Sequence, residues 1–461
     1  MKIPTRGTSR ADLALRMEEY RGADGDAAGS RLFSLVYGAR TDVLEVAKDA
    51  YLRFFSANAL NPTTFPSLRK FETEVLAMAQ DLLHAPEGAA GTMSSGGSES
   101  LLLAVKTARD WARAERPDIK EPEMLLPVTA HPALPKAAHI VGVKTVLVPM
   151  RADFTADVDA AKALITDRTI LVVASAPQYP HGVLDPVTEL AALAESRGIL
   201  CHVDACIGGY LLPWIEKLGH EVAPWDFRVP GVTSISADLH KYAYAAKGAS
   251  TILYRTAALR RHQYFVHADW PGGLFVSPSV LGTRPGGAIA AAWAVMNYLG
   301  EEGYLDLTRR AMDATGKIIR GVAETPGLKI LGKPVMSCIA IGADAESAPG
   351  PTGQGPDLYV IGDRMQERGW RMDRQQNPPS VHLTISPAHD AVADQLVADL
   401  RACTKEVLDT GAQAEGAAAM YGMLGQIPDR SVVREALLGF MDGIESMADS
   451  AIADATAKKR A

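Results

Sequence analysis

The chain has 461 residues, of which 47% are hydrophobic and 22% charged, and its 47 basic and 54 acidic residues give a net charge of −7. These values are typical of a folded globular protein with two or three lobes, and they exclude a largely disordered chain. Nucleic acid is not expected as a partner, because no block of like charges occurs apart from Lys458, Lys459 and Arg460.

The N-terminal residues 1–21 carry charges throughout and lack the apolar core of a signal peptide. Elsewhere no apolar run approaches the roughly 18 residues that a membrane span needs. Disulfides are not expected either, since only four cysteines occur (Cys201, Cys206, Cys338 and Cys403). We therefore predict a cytoplasmic protein with reduced cysteines and without a transmembrane segment.

Residues 1–60 mix helical and loop patterns, and we expect this N-terminal segment to contact a partner subunit. A helix follows, with Phe71, Val75, Met78 and Leu82 on one face, and a second helix begins directly after the glycine pair at residues 96–97. Short apolar runs then alternate with helical or loop segments, at residues 123–126, 143–148, 170–174, 199–203, 231–236 and 251–254. This alternation predicts an α/β fold in which residues 61–304 form a large domain around a mostly parallel sheet.

The pattern changes after residue 304. A long helix at residues 305–324 is followed by strands at 328–331 and 336–341 and by a surface loop rich in glycine and proline at 345–356. Residues 305–461 are therefore predicted to form a smaller α+β C-terminal domain.

Two charged residues stand at strand ends in the large domain. Lys241 follows the strand that ends near Ser236, and a buried lysine is expected to have a lowered pKa, so that its neutral amine can attack a carbonyl. Asp204 closes the preceding strand at the carboxyl edge, where open α/β sheets bind ligands. Each has an ordinary alternative, a solvent-reaching lysine and a helix-capping aspartate.

A third element is the segment SSGGSES at residues 94–100, which opens a helix. Glycines let the backbone approach an anion, and the free N–H groups of the first helical turn point at it, so Gly97 and Ser98 are candidate phosphate ligands. His131 lies just past a strand, where an imidazole can stack on a planar cofactor. The group Cys201, His202 and Cys206 lacks zinc-site spacing, and we predict no metal.

These motifs resemble those of the sphingosine-1-phosphate lyases, a branch of the pyridoxal-phosphate group II decarboxylase superfamily. The resemblance extends from about Tyr37 to about Arg430 and is carried by SSGGSES (94–100), PQYPHG (177–182), HVDAC (202–206), GVTSISADLHKY (231–242), DWPGG (269–273), GTRPGG (282–287) and YGM (421–423). It implies the pyridoxal-phosphate fold type I of aspartate aminotransferase, a homodimer with its active site at the interface, and pyridoxal 5'-phosphate as the cofactor.

For the cofactor, the resemblance implies that Lys241 forms the Schiff base, Asp204 pairs with the pyridinium nitrogen and His131 stacks on the ring. It further implies that Gly97, Ser98 and His240 of this subunit bind the cofactor phosphate. Gly282 and Thr283 would contribute to the cofactor site from the neighbouring subunit.

For the substrate, the resemblance implies that Tyr37, Tyr179 and Lys247 face the phosphorylated lipid. Where the family typically has a histidine near the substrate phosphate, this chain has Asn61. An amide donates hydrogen bonds but carries no charge, so we expect weaker binding of the phosphate.

The implied reaction is retro-aldol cleavage of the C2–C3 bond of a phosphorylated sphingoid base to a long-chain aldehyde and phosphoethanolamine. Tyr37, Tyr179, His131 and Lys241 are the candidates for proton transfer, and the sequence does not rank them. Amino-acid decarboxylation by the same machinery is the alternative among enzymes. A scaffold protein that retains only the fold would leave Lys241 and Asp204 without a role.

Overall fold

The computed structural model describes residues 3–22, 24–25, 30–351 and 353–446, so the basic residues 458–460 lie outside the described part. The strands in these ranges are β1 (Ala90–Ser94), β2 (Glu123–Pro127), β3 (Lys144–Val148), β4 (Thr169–Ser175), β5 (Leu200–Asp204), β6 (Ser234–Ala237), β7 (Ser250–Tyr254), β8 (Phe265–His267), β9 (Phe275–Ser277), β10 (Leu328–Ile330), β11 (Cys338–Ala343), β12 (Asp373–Gln375) and β13 (Ser380–Thr384).

The helices in the same ranges are α1 (Arg10–Arg21), α2 (Thr41–Arg53), α3 (Pro66–Leu82), α4 (Gly97–Glu115), α5 (Ala133–Val141), α6 (Val158–Leu164), α7 (Val187–Ser196), α8 (Leu212–Lys217), α9 (Ala257–Arg261), α10 (Gly286–Ala323), α11 (Leu358–Glu367), α12 (Ala393–Thr410), α13 (Gly416–Gln426) and α14 (Arg430–Ser446). Every one of them is either too short or too polar to cross a bilayer.

The main sheet has seven strands in the order β1-β7-β6-β5-β4-β2-β3. The pairs β2/β3, β2/β4, β4/β5 and β5/β6 are parallel, whereas β7 runs antiparallel to both β6 and β1. Two antiparallel steps return β1 to the direction of the central strands, so β1, β4, β5 and β6 all end at one edge. The prediction of a mostly parallel sheet is confirmed.

Helices cover both faces of this sheet, as apolar parallel strands require. The core on one face includes Val75 of α3 and Val295 of α10, and the core on the other includes Val105 of α4 and Leu134 of α5. Strand β4 is buried along its whole length, which explains why it reads as a continuous apolar run rather than an alternating one.

Several elements differ from the sequence predictions, most of all helix α10. Helix α10 begins at Gly286 rather than at residue 305. The sequence does not predict this start, because residues 288–292 are buried on every side and so show no helical period. The helix is interrupted at Gly300, whose φ of 54° is left-handed. The strand predicted at 231–236 begins only at Ser234, and β1, short and buried, was not predicted.

The second sheet is antiparallel, in the order β10-β11-β13-β12, and α11, α12 and the end of α10 pack on it around their own core. The N-terminal segment joins this core through Phe33, which is fully buried and stacks on His389 at 4.2 Å between ring centroids. The backbone of Phe33 also bonds to Arg371 and Thr384. This attachment brings the residues that follow, up to Tyr37, to the edge of the main sheet.

Candidate active site

A cavity of about 590 Å³ lies where the carboxyl ends of the parallel strands meet. Nine of the twelve predicted site residues line it: Tyr37, Gly97, Ser98, His131, Tyr179, Asp204, His240, Lys241 and Lys247. A larger cavity of about 710 Å³ lies on the second lobe, beside α11 and α13. None of the predicted residues lines that one, and its charged residues Lys329 and Asp357 are engaged locally, so the chemistry points to the smaller cavity.

Lys241 lies just beyond the end of β6, and its Nζ is 3.0 Å from Oδ2 of Asp238. Burial is the largest single influence on the pKa of Lys241 and lowers it, but the charge and hydrogen bond of Asp238, together with the neighbouring Tyr37 and Cys206, raise it by more, and the net pKa lies above its ordinary value. The lowered pKa expected from the sequence is therefore wrong for this state of the protein, because Asp238 and the groups beside it together outweigh the loss of solvent.

Asp204 is the last residue of β5 and is buried. Its Oδ1 accepts a hydrogen bond from the backbone N–H of Cys206 at 3.1 Å and a longer one from Ser236 Oγ at 3.4 Å. No ion pair to a basic side chain is formed by Asp204 among the described residues. A buried carboxylate that faces a cavity in this way is suited to a cationic ligand atom.

The glycine turn, residues 95–98, connects β1 to α4. Within the described part of the chain, the N–H groups of Gly97 and Ser98 donate to no protein acceptor, as expected for the first turn of a helix. A Cβ added to Gly97 would lie 2.8 Å from Asp238 Oδ2 and 3.0 Å from Cys206 Sγ. The turn therefore lies directly against the floor of the cavity and requires glycine there.

Glu99, which the sequence reasoning missed, fixes this turn from behind. Its side chain is buried and accepts the N–H groups of Ser95 and Val280, both at 2.7 Å, and that of Leu281 at 3.4 Å. The carboxylate thus ties the glycine turn to the loop that precedes α10. The sequence signal for this role is an acidic residue, Glu99, three positions after the helix-capping Gly96, a spacing typical of a capping box.

Tyr179 reaches the cavity from the loop after β4, and its hydroxyl donates to Oδ2 of Asp373 at 2.9 Å. Burial, reinforced by the charge of Asp373, raises the pKa of Tyr179. Oδ1 of Asp373 accepts Ser34 Oγ at 3.2 Å, and the Tyr179 ring lies 4.1 Å from that of His382. Asp373 joins three separate parts of the chain, which no local pattern in the sequence could reveal.

Tyr37 is held by other aromatic rings. It meets Tyr242 edge-on at 5.0 Å between centroids, and Nζ of Lys247 lies 5.1 Å above its ring. Burial raises the pKa of Tyr37 and lowers that of Lys247, with the charge of Lys241 adding to the second effect. The phenol of Tyr37 is therefore protonated. In the described cavity wall it lies beside Lys247, the second lysine of the cavity after Lys241.

The two cavity histidines are neutral. Burial lowers the pKa of both His131 and His240. In His131 the Nδ1 atom accepts the N–H of Ala133 at 3.2 Å, and in His240 the Nδ1 atom accepts the N–H of Ala249 at 3.3 Å. Each ring therefore carries its proton on Nε2 and acts toward the cavity as a hydrogen-bond donor.

Asn61, Gly282 and Thr283 do not line the cavity of their own chain. All three are exposed in the single chain, and Asn58 donates to Thr283 Oγ1 at 3.4 Å and accepts the N–H of Arg284 at 3.2 Å. Oδ1 of Asn61 accepts the N–H and the hydroxyl of Thr63, at 2.9 and 2.7 Å. The predicted roles of Gly282 and Thr283 in a neighbouring subunit, and of Asn61 at the substrate phosphate, stay predictions.

The cysteine and histidine group on β5 is engaged internally. Both ring nitrogens of His202 contact hydroxyls, Ser234 Oγ at 2.9 Å and Ser236 Oγ at 3.2 Å, and Cys206 Sγ donates to Ser236 as well. Among the described residues no set of histidine, cysteine and acidic side chains is arranged to hold a metal ion.

Comparison with known proteins agrees with this geometry. The family model described as "Pyridoxal-dependent decarboxylase conserved domain" matches residues 32–342. The sphingosine-1-phosphate lyase of Arabidopsis thaliana is 43% identical over 395 residues, which cover 84% of this chain and 71% of that protein. Sphingosine-1-phosphate lyase 1 of Rattus norvegicus is 39% identical over 448 residues, covering 96% of this chain and 77% of that protein.

A solved structure extends the likeness to three dimensions. The sphingosine-1-phosphate lyase of Burkholderia pseudomallei K96243 superposes with a TM-score of 0.83 at 37% identity, covering 89% of this chain and 94% of that one. The expected fold type I is thereby confirmed, as is the resemblance in the motifs. The chain belongs to the sphingosine-1-phosphate lyases, a branch of the pyridoxal-dependent decarboxylase family.

Proposed function

We propose that this protein is a pyridoxal-phosphate-dependent carbon–carbon lyase that cleaves the C2–C3 bond of a phosphorylated sphingoid base. The products are a long-chain aldehyde and phosphoethanolamine. The observation that carries the proposal is one cavity lined by Lys241, Asp204 and the glycine turn on one side and by Tyr37, Tyr179 and Lys247 on the other. Membership of the lyase family supports the same reaction.

The residues of the cavity fit pyridoxal phosphate. The missing side chain at Gly97 and the free N–H groups of the glycine turn suit an anionic phosphate, and His240 offers a further donor. Asp204 presents a carboxylate suited to a protonated ring nitrogen, and Lys241 presents an amine for covalent attachment. When bound, the cofactor supplies an electron sink for the pair of electrons left at C2.

The protein's own groups then divide the remaining tasks. His131 donates through Nε2 and has its other nitrogen occupied, which favours a stacking and hydrogen-bonding role over that of a base. Tyr37, Tyr179 and Lys241 remain the candidates for moving the proton from the C3 hydroxyl and for returning one to C2. One proton is lost and one gained, so cleavage consumes no co-reactant.

Lys247 is the candidate cation for the substrate phosphate in this chain. Its amine lies beside Tyr37 and is exposed at the cavity, 3.3 Å from the carbonyl oxygen of His240. Asn61 would add a neutral donor from a neighbouring subunit, where its amide nitrogen stays free while Oδ1 holds the local turn.

The homodimer is part of the proposal. Helix α1 buries none of its residues against its own chain. Its large apolar side chains Leu15, Met17 and Tyr20 are all more than 60% exposed. Asn61, Gly282 and Thr283 likewise face outward in the single chain. Both features support an arrangement in which one subunit lends these residues to the cavity of the other.

We also propose that the enzyme works in the cytoplasm. All four cysteines are free and buried, which agrees with a reducing compartment. Amino-acid decarboxylation, the alternative left open by the sequence, is not favoured, because the lyases named above cover most of this chain at 37–43% identity.

The test is incubation of the cofactor-loaded protein with sphingosine 1-phosphate, with aldehyde and phosphoethanolamine followed together by mass spectrometry. We expect the two products in equal amounts, and neither with unphosphorylated sphingosine at the same concentration. Lys241→Ala is expected to abolish both, whereas Lys329→Ala on the second lobe should leave them unchanged. Release of carbon dioxide from amino acids without lipid cleavage would overturn the proposal in favour of a decarboxylase.

A further inference from the structure

Asp238 is a buried acid at the centre of the cavity floor. It is the first residue after β6, and only 2% of it is exposed. Its Oδ2 pairs with Lys241 at 3.0 Å, while its Oδ1 is buried and has no hydrogen-bond partner among the described residues. A buried oxygen without a partner is costly, so its presence calls for a physical reason.

The carboxylate lies between the lysine and the glycine turn. Both of its oxygens would be within 3.0 Å of a Cβ at Gly97, so nothing separates them from the turn. The backbone holds it there, because Asp238 N donates to Cys206 O and Lys241 N donates to Asp238 O, each at 3.2 Å. The ion pair is thus built into a tight turn rather than formed by two mobile side chains.

The other groups around Lys241 do not replace this counter-ion. Burial keeps Tyr37 and Cys206 protonated, and it keeps His131 and His240 neutral. The second lysine of the cavity, Lys247, repels the charge. The cavity is also lined by the carboxylates of Asp204 and Glu99, but among the described residues neither forms an ion pair with Lys241.

We propose that Asp238 is a positioning residue for Lys241, which holds the lysine amine charged and directed under the glycine turn whenever that amine is not bonded to the cofactor. A charged amine is not a nucleophile, so the ion pair with Asp238 slows attachment of Lys241 to the cofactor. The same ion pair stabilises Lys241 once the cofactor has released it. The proposal builds on the role of Lys241 proposed above but not on the identity of the substrate.

The first test measures the reactivity of Lys241 in the cofactor-free protein. Trace acetic anhydride is applied from pH 7 to 11, and labelling at Lys241 is read by peptide mass spectrometry relative to the exposed Lys48. We expect Asp238→Asn to raise labelling of Lys241 at pH 8 by about tenfold or more, since each pKa unit changes the neutral fraction tenfold. Asp204→Asn, on the adjacent strand, is the matched control and should change it less than twofold.

Equal labelling of Asp238→Asn and wild type, or the same acceleration in Asp204→Asn, would overturn the proposal. A second measurement covers the case in which Asp238→Asn does not fold well. Lys241→Met leaves a buried charge unpaired and is expected to lower the melting temperature, and adding Asp238→Asn to it should restore part of the loss. Additive losses in the double variant would contradict the ion pair. Neither measurement uses substrate, so failure of the lyase assignment is distinguishable.

Discussion

At the scale of single residues, the site depends on where a side chain is missing as much as on where one is present. Gly97 has ordinary helical backbone geometry, so its value lies in the space it leaves beside Asp238 and Cys206. In the proposed site, that space would let a phosphate approach the N–H groups of the first turn of α4.

Gly97→Ala is therefore expected to weaken pyridoxal phosphate binding. The new Cβ would lie 2.8 Å from Asp238 Oδ2, and relieving such overlap costs on the order of 1–3 kcal/mol. We expect the dissociation constant, measured by absorbance titration, to rise about tenfold or more. Gly439→Ala in α14, where a Cβ meets nothing within 4 Å, should leave it unchanged. Equal affinity in Gly97→Ala would show that the turn is not the phosphate site.

Asn61 is the residue at which this chain departs from its family. We predict that Asn61→His lowers KM for a phosphorylated sphingoid base, because an imidazolium adds a positive charge where the amide has none. The effect should grow as the pH falls through the histidine pKa, and it should be absent for the Asn61→Gln control. An unchanged or raised KM would count against a role of this position in phosphate binding.

At the scale of elements, the glycine turn and the loop before α10 behave as one unit because Glu99 accepts backbone N–H groups from both. The loop carries Gly282 and Thr283, the residues proposed to serve the other subunit. One carboxylate therefore connects the proposed phosphate site of its own chain to the segment proposed to serve the neighbour.

Glu99→Gln should loosen this connection. One carboxylate oxygen becomes an N–H donor facing a backbone N–H, and a lost hydrogen bond to a charged group is worth about 1.5–3 kcal/mol. We expect faster hydrogen exchange of the amides at Ser95 and Val280, together with weaker cofactor binding. Glu115→Gln, at the exposed end of the same helix, is the matched control. Unaltered exchange at residue 280 would refute the coupling.

At the scale of the whole molecule, several buried titratable groups set the pH dependence of stability. Burial lowers the pKa of His181, His202 and His382 to about 4 from 6.5, and burial raises the pKa of Asp185 to about 7 from 3.8. The histidines stay neutral in the folded protein but bind protons in the unfolded chain below pH 6.5. Asp185 does the opposite, binding its proton in the folded protein.

Near pH 5 the unfolded chain thus holds three protons on these histidines, against one held by Asp185 in the folded protein. Stability from these four groups should rise with pH between about 4 and 6.5, by about 2.7 kcal/mol per pH unit near the middle of that range. Denaturant unfolding at a series of pH values measures the slope. His202→Gln removes one of the protons bound on unfolding and should lower the measured slope by about 1.4 kcal/mol per pH unit, whereas His139→Gln, at an exposed site, should not change it.

The proposed homodimer makes a prediction about shared sites. A Cβ at Gly282 meets no atom of its own chain within 4 Å, so we expect the loss of activity in Gly282→Phe to arise at the neighbour's site. Co-expressing inactive Gly282→Phe and Lys241→Ala chains should restore up to about a quarter of wild-type activity, because the mixed dimer contains one intact site. Full activity of Gly282→Phe alone, or no recovery in the mixture, would contradict an interfacial site.

Much of the fold and the site could be predicted from local sequence. Three features are short-range, because adjacent residues set their chemistry. They are the apolar run that ends in Asp204, the apolar run that leads to Lys241 and the glycine turn that opens a helix. The parallel sheet then brings them to one edge, as expected. The start of α10 could not be predicted, because residues 288–292 are buried on all sides and give no periodic signal.

The sequence alone therefore determined the order of the chemical groups, the sheet edge at which they meet and the family they belong to. Only the tertiary structure decided which groups contact one another. Tyr179 bonds to Asp373 across 194 positions and Glu99 to Val280 across 181. Asp238 and the groups beside it together reverse the expected pKa shift of Lys241. Such contacts depend on how distant segments pack, and a buried charge or hydrogen bond between them leaves no period or spacing in the chain.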